Sequence, residues 1–220
     1  MARLAEAAPS SVDPPRSVPM RRIPTAARIA TVSLLMAPGL AQAHLVSSGL
    51  GPFYDGVLHL LLSPGDLLGV VVLALLAGLR GARAGRLTVM LLPAVWMLAG
   101  LVGLALPAAL EPSMWGVLFL TLLGVGLAAN LRLPPPLLAG LAGVYGGLHG
   151  LMNGSTLTAI GAGWPGLVGI VTAVLLLGLL LAALGLSLRA DWTRTAVRVV
   201  GSWVAAVGLL MLGWMVQGAS

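Results

Sequence analysis

The sequence predicts an all-α integral membrane protein with six transmembrane helices, and its composition is the first observation behind that prediction. Of the 220 residues, 59% are hydrophobic and only 8% are charged, with a mean hydropathy of +1.04. About a quarter of the residues in a soluble domain are charged, so this chain has too few to cover a water-facing surface. The apolar residues also form six long runs between short breaks rich in Gly, Pro and Arg. Cysteine is absent, which excludes disulfides and thiolate metal ligands.

The first 43 residues have the features of an export signal. Three arginines between positions 21 and 28 precede twelve mostly apolar residues, Ile29–Leu40, and the Ala41-Gln42-Ala43 run matches a small-x-small cleavage site. Twelve residues are too few to cross about 30 Å of hydrocarbon as a helix. We therefore predict an N-terminal extension and cleaved signal peptide over residues 1–43, and a membrane domain over residues 44–220. An uncleaved N-terminal anchor is the alternative, and Met20 is a second candidate start.

Six apolar stretches divide the predicted membrane domain, each about 20 residues or longer and so able to span a bilayer with some tilt. They are Phe53–Leu79, Leu87–Leu106, Ser113–Leu131, Leu137–Ile160, Pro165–Leu188 and Thr195–Val216. Basic residues are enriched in cytoplasmic loops, and alternate loops and their flanks here hold seven arginines, while the opposite loops hold none. We expect a bacterial inner-membrane protein with the arginine-bearing loops in the cytoplasm and both mature termini in the periplasm.

One short phrase occurs in two of these stretches. Gly56–His59 reads GVLH in the first stretch, Gly146–His149 reads GGLH in the fourth, and each closely follows a tyrosine. Three crossings separate the two copies, so their helices run in opposite directions. This arrangement is typical of an inverted repeat of three helices plus three, which in secondary transporters places the site between the halves. The predicted fold class therefore includes an inverted 3+3 repeat.

Polar side chains that could act as ligands are concentrated in the same two stretches: Asp55, His59 and Asp66 in the first, His149 and Asn153 in the fourth. Ionisable residues inside a bilayer are costly and tend to mark a site or a pathway. Spacings of four and seven residues place each group on one face of a continuous helix. These two stretches are therefore expected to form the functional site.

The run Ser63-Pro64-Gly65-Asp66 predicts a break in the first stretch. Serine at an N-cap, proline at the first helical position and an acid three residues after the cap are typical of a helix start. We expect a short outer helix ending near Leu62 and a longer one beginning at Pro64. Such a break would bring His59 and Asp66 closer together than a continuous helix allows.

Imidazole and carboxylate groups without a thiol suit a borderline divalent metal such as Ni²⁺, Co²⁺ or Zn²⁺. Signal-peptide cleavage would also make His44 the first residue, and its free α-amine and imidazole together could chelate such an ion. The candidate metal ligands are His44, Asp55, His59, Asp66, His149 and Asn153. Two other interpretations stay open: the aspartate in the break caps a helix, and the two histidines within the spans hold helices together by hydrogen bonds.

The run HLVSSGLGPFYDGVLHLLLSPGDLLGVVVLALLAGLRG, from His44 to Gly81, resembles the hydrogenase/urease accessory membrane proteins of the HupE/UreJ family. The GGLHGLMNG run is similar to the histidine-bearing fourth span of that family. The resemblance implies a six-span inner-membrane permease that supplies nickel or cobalt to metalloenzymes, and by position it implies roles for His59, Asp66 and His149. This chain has Leu67 where better-known members have a second histidine, and Asn153 but no acid in the fourth-span motif. It therefore resembles a divergent branch.

Three function hypotheses follow. The first is a permease for a divalent transition metal; since the chain lacks GxxxxGK[ST], it does not itself hydrolyse ATP. The second is a non-transporting assembly or metal-chaperone scaffold for a hydrogenase- or urease-type enzyme. The third is an intramembrane hydrolase using His149 and Asn153, which would also need a Gly-x-Ser-Gly run that the sequence lacks. We expect the first: no enzyme, no permanent cofactor, Ni²⁺ or Co²⁺ as the transported ion, and the lipid bilayer and cytoplasmic metallochaperones as partners, with no nucleic acid.

Overall fold

Seven α-helices and no strand make up the part of the chain that the structure, a computed structural model, describes: residues 48–106, 110 and 114–218. The helices are α1 (Pro52–Leu62), α2 (Pro64–Leu79), α3 (Ala82–Leu104), α4 (Met114–Ala128), α5 (Pro135–Ala159), α6 (Gly163–Ser187) and α7 (Asp191–Gly218). The all-α prediction is confirmed for these residues. The predicted signal peptide, its cleavage site and His44 lie outside them.

The first apolar stretch is broken where the sequence predicts it. Helix α1 ends at Leu62, α2 begins at Pro64, and the two axes are bent by 74°. Proline has no N–H to continue the hydrogen bonding of α1, and Ser63 adopts an extended backbone, with φ −93° and ψ 101°. Ser63 occupies the N-cap position, but its hydroxyl makes no capping hydrogen bond. The break is therefore caused by the proline and the extended serine backbone.

Three of the described helices are long and apolar enough to cross a membrane, namely α3, α6 and α7, and the bent pair α1–α2 counts as a fourth if it forms one span. Helix α4 is apolar but has only 15 residues. Helix α5 has 25 residues, but its glycines and polar side chains lower its mean hydropathy, so it is not among the helices that are apolar enough to cross a membrane. The structure thus supports three or four spans by length and composition, and the count of six stays a prediction.

The helices pack in pairs, most extensively α3 with α5, α4 with α7, and α6 with both α1 and α2. Small residues allow the close approach that is typical of helices in membranes. A Cβ added at Gly150 would lie 2.4 Å from the carbonyl oxygen of Trp96, and one at Gly154 would lie 2.1 Å from that of Gly100. The glycine stripe of α5 therefore fixes that helix directly against the backbone of α3, which sets the direction of its neighbouring polar stripe.

Apolar side chains cover much of the outer surface. Leu180, Leu210 and Trp214 are 70%, 73% and 80% exposed, and many other leucines and valines on the outer helix faces are also exposed. Soluble monomers rarely expose contiguous apolar surface on this scale. The polar side chains Asp66, His149 and Asn153 are buried instead. This inverted distribution is the one expected of helices surrounded by lipid.

Candidate functional site

Four polar side chains from three helices meet around Asp66 in the interior. Asp66 Oδ1 bonds with His149 Nδ1, and Asp66 Oδ2 accepts a hydrogen bond from Asn153 Nδ2 at 3.0 Å. His59 Nε2 lies 2.9 Å from Asn153 Oδ1 and 3.9 Å from Asp66 Oδ2. We call these four residues the Asp66 cluster. The structure thus brings both predicted span histidines to one carboxylate, as the sequence-based hypothesis requires.

The helix break places Asp66 and His59 within reach of each other. Asp66 lies in the first turn of α2 and His59 in the last turn of α1, so the 74° bend folds one helix end over the other. Unpaired N–H groups and the helix dipole make a helix N-terminus favourable for negative charge. A carboxylate with a side-chain exposure of 8% is therefore stabilised by both its position and its hydrogen-bond partners.

Helix α5 supplies the other half of the cluster from one stripe, with residues spaced four apart. Tyr145, His149 and Asn153 follow one another on this stripe and are all buried. The Tyr145 hydroxyl donates to the carbonyl oxygen of Gly65, in the first turn of α2. A Cβ at Gly69 would lie 2.0 Å from the tyrosine ring. The absence of a side chain at this position of α2 therefore makes room for the ring that fixes α5 against the break.

Aromatic rings hold the imidazole of His149 in place. The rings of Tyr145 and His149 are stacked, with centroids 4.0 Å apart and planes 19° apart, and the centroid of Trp96 on α3 lies 5.7 Å from that of His149. The sequence placed His149 and Asn153 on one face of a helix but did not indicate Trp96. Tryptophan is enriched at membrane interfaces, so one in the middle of a predicted span was the signal that could have revealed it.

For the neutral form of each imidazole, the hydrogen-bond partners assign the nitrogen that carries the proton. An amide oxygen only accepts, so His59 carries its proton on Nε2 and donates to Asn153. A carboxylate also only accepts, so His149 carries its proton on Nδ1 and donates to Asp66. His149 Nε2 is buried and has no hydrogen-bond partner among the described residues. In the neutral form, Nε2 of this buried imidazole therefore carries a lone pair, while Nδ1 is held by the carboxylate.

This arrangement has the chemistry of a cation site but is not preassembled as one. A metal-bound histidine commonly donates its second ring N–H to a carboxylate, as His149 does here. Two tetrahedral ligands bound at about 2.0–2.1 Å lie about 3.3 Å apart, so His59 Nε2 and Asn153 Oδ1, now 2.9 Å apart, would need to separate only slightly to share an ion. However, no group of three or more His, Cys, Asp or Glu side chains within the described ranges is arranged to hold a metal. An ion would have to replace hydrogen bonds that the cluster now makes internally.

The remaining candidate ligands are not part of this cluster. Asp55 lies one turn before His59 on α1, and its carboxylate accepts a hydrogen bond of 2.5 Å from the backbone N–H of Ser48. His44 lies outside the described residues. The structure therefore brings together His59, Asp66, His149 and Asn153, and a metal role for any of the six candidates stays a prediction.

Comparison with protein families gives a match over most of the chain. A family model described as "HupE / UreJ protein" matches residues 32–211, which is most of the chain. No curated protein and no solved structure matches significantly. The matched region includes all four members of the Asp66 cluster.

Proposed function

The chain belongs to the HupE/UreJ family, and from this premise we propose that it is an inner-membrane permease for a divalent transition metal, most suitably nickel or cobalt. The observation that carries the proposal is the Asp66 cluster, in which a buried carboxylate, imidazole and amide meet the partly buried imidazole of His59 at a helix break. Such groups are costly inside a bilayer unless they serve a site or a pathway. Borderline divalent metals favour imidazole and accept carboxylate oxygen.

The buried lone pair of His149 supports this role most directly. Its Nδ1–H is committed to Asp66, so the free Nε2 is the atom that would meet an incoming ion. The stacked ring of Tyr145 and the carboxylate restrict the imidazole to one orientation, so little rotamer entropy would be lost on binding. His59 Nε2 and Asn153 Oδ1 would become ligands by giving up their mutual hydrogen bond.

Within the described residues, the side chains of the Asp66 cluster bond to one another and form no preassembled metal group, an arrangement that suits transit better than storage. Conduction requires a site favourable enough for the ion to enter but weak enough for it to leave. In the Asp66 cluster, each bond to the ion would replace a hydrogen bond within the cluster, which limits the net affinity. Asp55, one turn before His59 on α1, is proposed as an earlier contact for the ion, and His44 stays a predicted ligand outside the described residues.

The arginines support a direction for this movement. Loops rich in arginine are expected in the cytoplasm, so the ion would enter from the periplasm and be received by cytoplasmic metallochaperones. The membrane potential, negative inside, favours a dication by about 4.6 kcal/mol per 100 mV, twice the value for one charge. This is sufficient to drive uptake without a nucleotide or a permanent cofactor. An enzymatic role is not part of the proposal.

The packing of the helices supports an inverted repeat. Exchange of the first with the fourth apolar stretch, the second with the fifth and the third with the sixth converts the contact of α1–α2 with α6 into that of α5 with α3. The same exchange leaves the contact of α4 with α7 unchanged. These are the most extensive helix pairs. We propose that the Asp66 cluster lies between two such halves, as sites do in repeat-built transporters.

Uptake of radioactive nickel or cobalt by cells expressing the chain tests the proposal. We expect accumulation above that of empty cells, and its loss in His59→Ala and His149→Ala. Asp66→Asn should also abolish it, whereas the matched control Asp191→Asn, at the exposed start of α7, should not. Unchanged uptake in both histidine variants, with normal expression, would contradict the proposal.

The scaffold function is the second candidate, and it is favoured by the hydrogen bonds within the Asp66 cluster, which hold α1, α2 and α5 together without an ion. A scaffold would leave metal accumulation unchanged but would be needed for the activity of a nickel enzyme in the same cell. The two functions are separated by excess external metal, which would restore the enzyme if the chain is a permease and would not if it is a scaffold.

A further inference from the structure

A second polar site lies at the C-terminal end of α2, whereas the helix break lies at the N-terminal end of the same helix. A cavity of about 440 Å³ lies between the C-terminal ends of α2 and α6, the α4–α5 loop and the start of α7. Four arginines line it: Arg80, Arg132, Arg189 and Arg194. None of the described residues that line it is acidic. The cavity is therefore a concentration of positive charge with space inside it.

Arg80 is the least exposed of these four arginines, and its hydrogen-bonding groups are only partly satisfied. It follows directly after α2, and its Nη2 donates to Asn130 Oδ1 at 2.5 Å. Its Nε is buried and has no hydrogen-bond partner among the residues described. Burial, followed by the charges of Arg132 and Arg194, lowers the pKa of Arg80 from its usual value. The guanidinium groups therefore repel one another across the cavity, and an N–H is left without an acceptor.

Two ordinary explanations for these arginines do not account for the cavity. Basic residues orient membrane proteins, but exposed arginines such as Arg83 and Arg86 satisfy that rule without enclosing a space. Arginines also stabilise helix C-termini, as Arg198 does by donating to the carbonyl oxygen of Ala128. No such bond to a helix carbonyl is made by Arg80, whose side chain bonds to Asn130 instead.

We propose that this cavity binds a phosphate group, carried by an anionic lipid or free in solution. Guanidinium groups bind phosphate through pairs of parallel hydrogen bonds, and several of them can share its oxygens. A phosphate would supply an acceptor to Arg80 Nε and neutralise the mutual repulsion. Leu79, Leu186 and Leu188 also line the cavity, and Leu186 is half exposed on the outer surface. Basic pockets between helices at the cytoplasmic leaflet suit lipid headgroups in this way.

Thermal unfolding of the full chain in lipid nanodiscs tests the proposal. A ligand that binds only the folded state raises the unfolding temperature. The first arm compares inorganic phosphate with chloride at equal ionic strength in phosphatidylcholine nanodiscs. The second arm replaces part of the phosphatidylcholine with phosphatidylglycerol, and native mass spectrometry counts the phosphatidylglycerol retained. Stabilisation in the first arm identifies free phosphate, and stabilisation in the second arm alone identifies a lipid headgroup.

Variants assign the effect to the cavity. Arg80→Gln and Arg189→Gln should each weaken phosphate or phosphatidylglycerol binding at least about tenfold, because a hydrogen bond to a charged group is lost. The exposed Arg189 provides an answer even where the Arg80 variant unfolds. Arg86→Gln and Arg198→Gln remove the same charge outside the cavity and should leave binding unchanged. No stabilisation in either arm, or equal losses in the control variants, would overturn the proposal. Neither result depends on metal transport.

Discussion

Replacement of Asp66 by asparagine should separate the fold of the protein from its proposed transport. The two side chains have nearly the same shape, but the carboxylate accepts from both His149 and Asn153, whereas an amide has one accepting oxygen. If that oxygen faces Asn153, the new NH₂ group faces His149 Nδ1. His149 can then accept this bond only by moving its proton to Nε2. The hydrogen bonds would be restored, but the free lone pair would be lost.

The effects on stability and on ion affinity should differ in size. Two hydrogen bonds to a charged group become neutral ones, which costs up to about 2 kcal/mol of folding free energy, at about 1 kcal/mol each. For the ion, His59 Nε2 lies 3.9 Å from Asp66 Oδ2, which gives the scale of the ion–carboxylate distance. Two unit charges 4 Å apart interact by about 4 kcal/mol at an effective dielectric constant of 20, and a dication doubles this. The full interaction is then about 8 kcal/mol. Loss of even one third of it, about 2.7 kcal/mol, corresponds to about a 100-fold loss of affinity.

The assay is the initial rate of radioactive cobalt or nickel uptake at a metal concentration well below saturation, alongside a thermal unfolding curve. Asp66→Asn should unfold cooperatively within a few degrees of the wild type and show a rate at least about 100-fold lower. Asp191→Asn makes the same chemical change at an exposed position and should match the wild type in both measurements. A folded Asp66→Asn variant that takes up metal at the wild-type rate would refute the reasoning.

Three further predictions concern the support of the cluster and the driving force. Tyr145→Phe removes the hydrogen bond to Gly65 and should lower the free energy of unfolding by about 0.5–1.5 kcal/mol. The control Tyr54→Phe, at a half-exposed ring, should change it by less than about 0.5 kcal/mol. Equal effects of the two variants in denaturant unfolding would contradict this prediction. Gly69→Ala places a Cβ 2.0 Å from the Tyr145 ring, so it should lower the free energy of unfolding by about 1–3 kcal/mol and reduce metal uptake. The control Gly140→Ala, with open space around it, should raise the free energy of unfolding by up to about 1 kcal/mol. A Gly69→Ala variant as stable as the wild type would show that the contact is not tight. Collapse of a 100 mV potential by an ionophore should reduce steady accumulation of the dication by about 10³-fold, and accumulation that persists would require another energy source.

The sequence predicted the helix break and the two helices that flank it well, because the cause of the break is local. Pro64 cannot continue α1, so the end at Leu62 and the start at Pro64 follow from one residue. Likewise, four-residue spacing placed His149 and Asn153 on one face of α5. That His59 bonds to Asn153 rather than directly to Asp66 depends on the 74° bend, an angle that the sequence pattern does not contain.

Features that depend on packing between distant segments were not predictable in the same way. The ring of Trp96 reaches His149 because glycines on α5 allow α5 to approach α3 closely. The contact between the two rings therefore depends on the packing of both helices. In the sequence, the arginines indicated only the orientation of the chain, because the cavity they line depends on where three helix ends and the α4–α5 loop meet. The third predicted span was too long at its end, because α4 ends at Ala128 and Asn130 takes a left-handed conformation with φ 51°.

Movement of metal by the purified chain alone is the most direct test of the central claim, that an ion crosses by way of the Asp66 cluster. Liposomes containing the chain and no other protein would be given an inside-negative potential, and cobalt would be followed with a trapped metal-sensitive dye. We predict rapid entry with the wild type and no entry above that of protein-free liposomes with His149→Ala. Equal entry with both proteins, or none with a correctly folded wild type, would contradict the account.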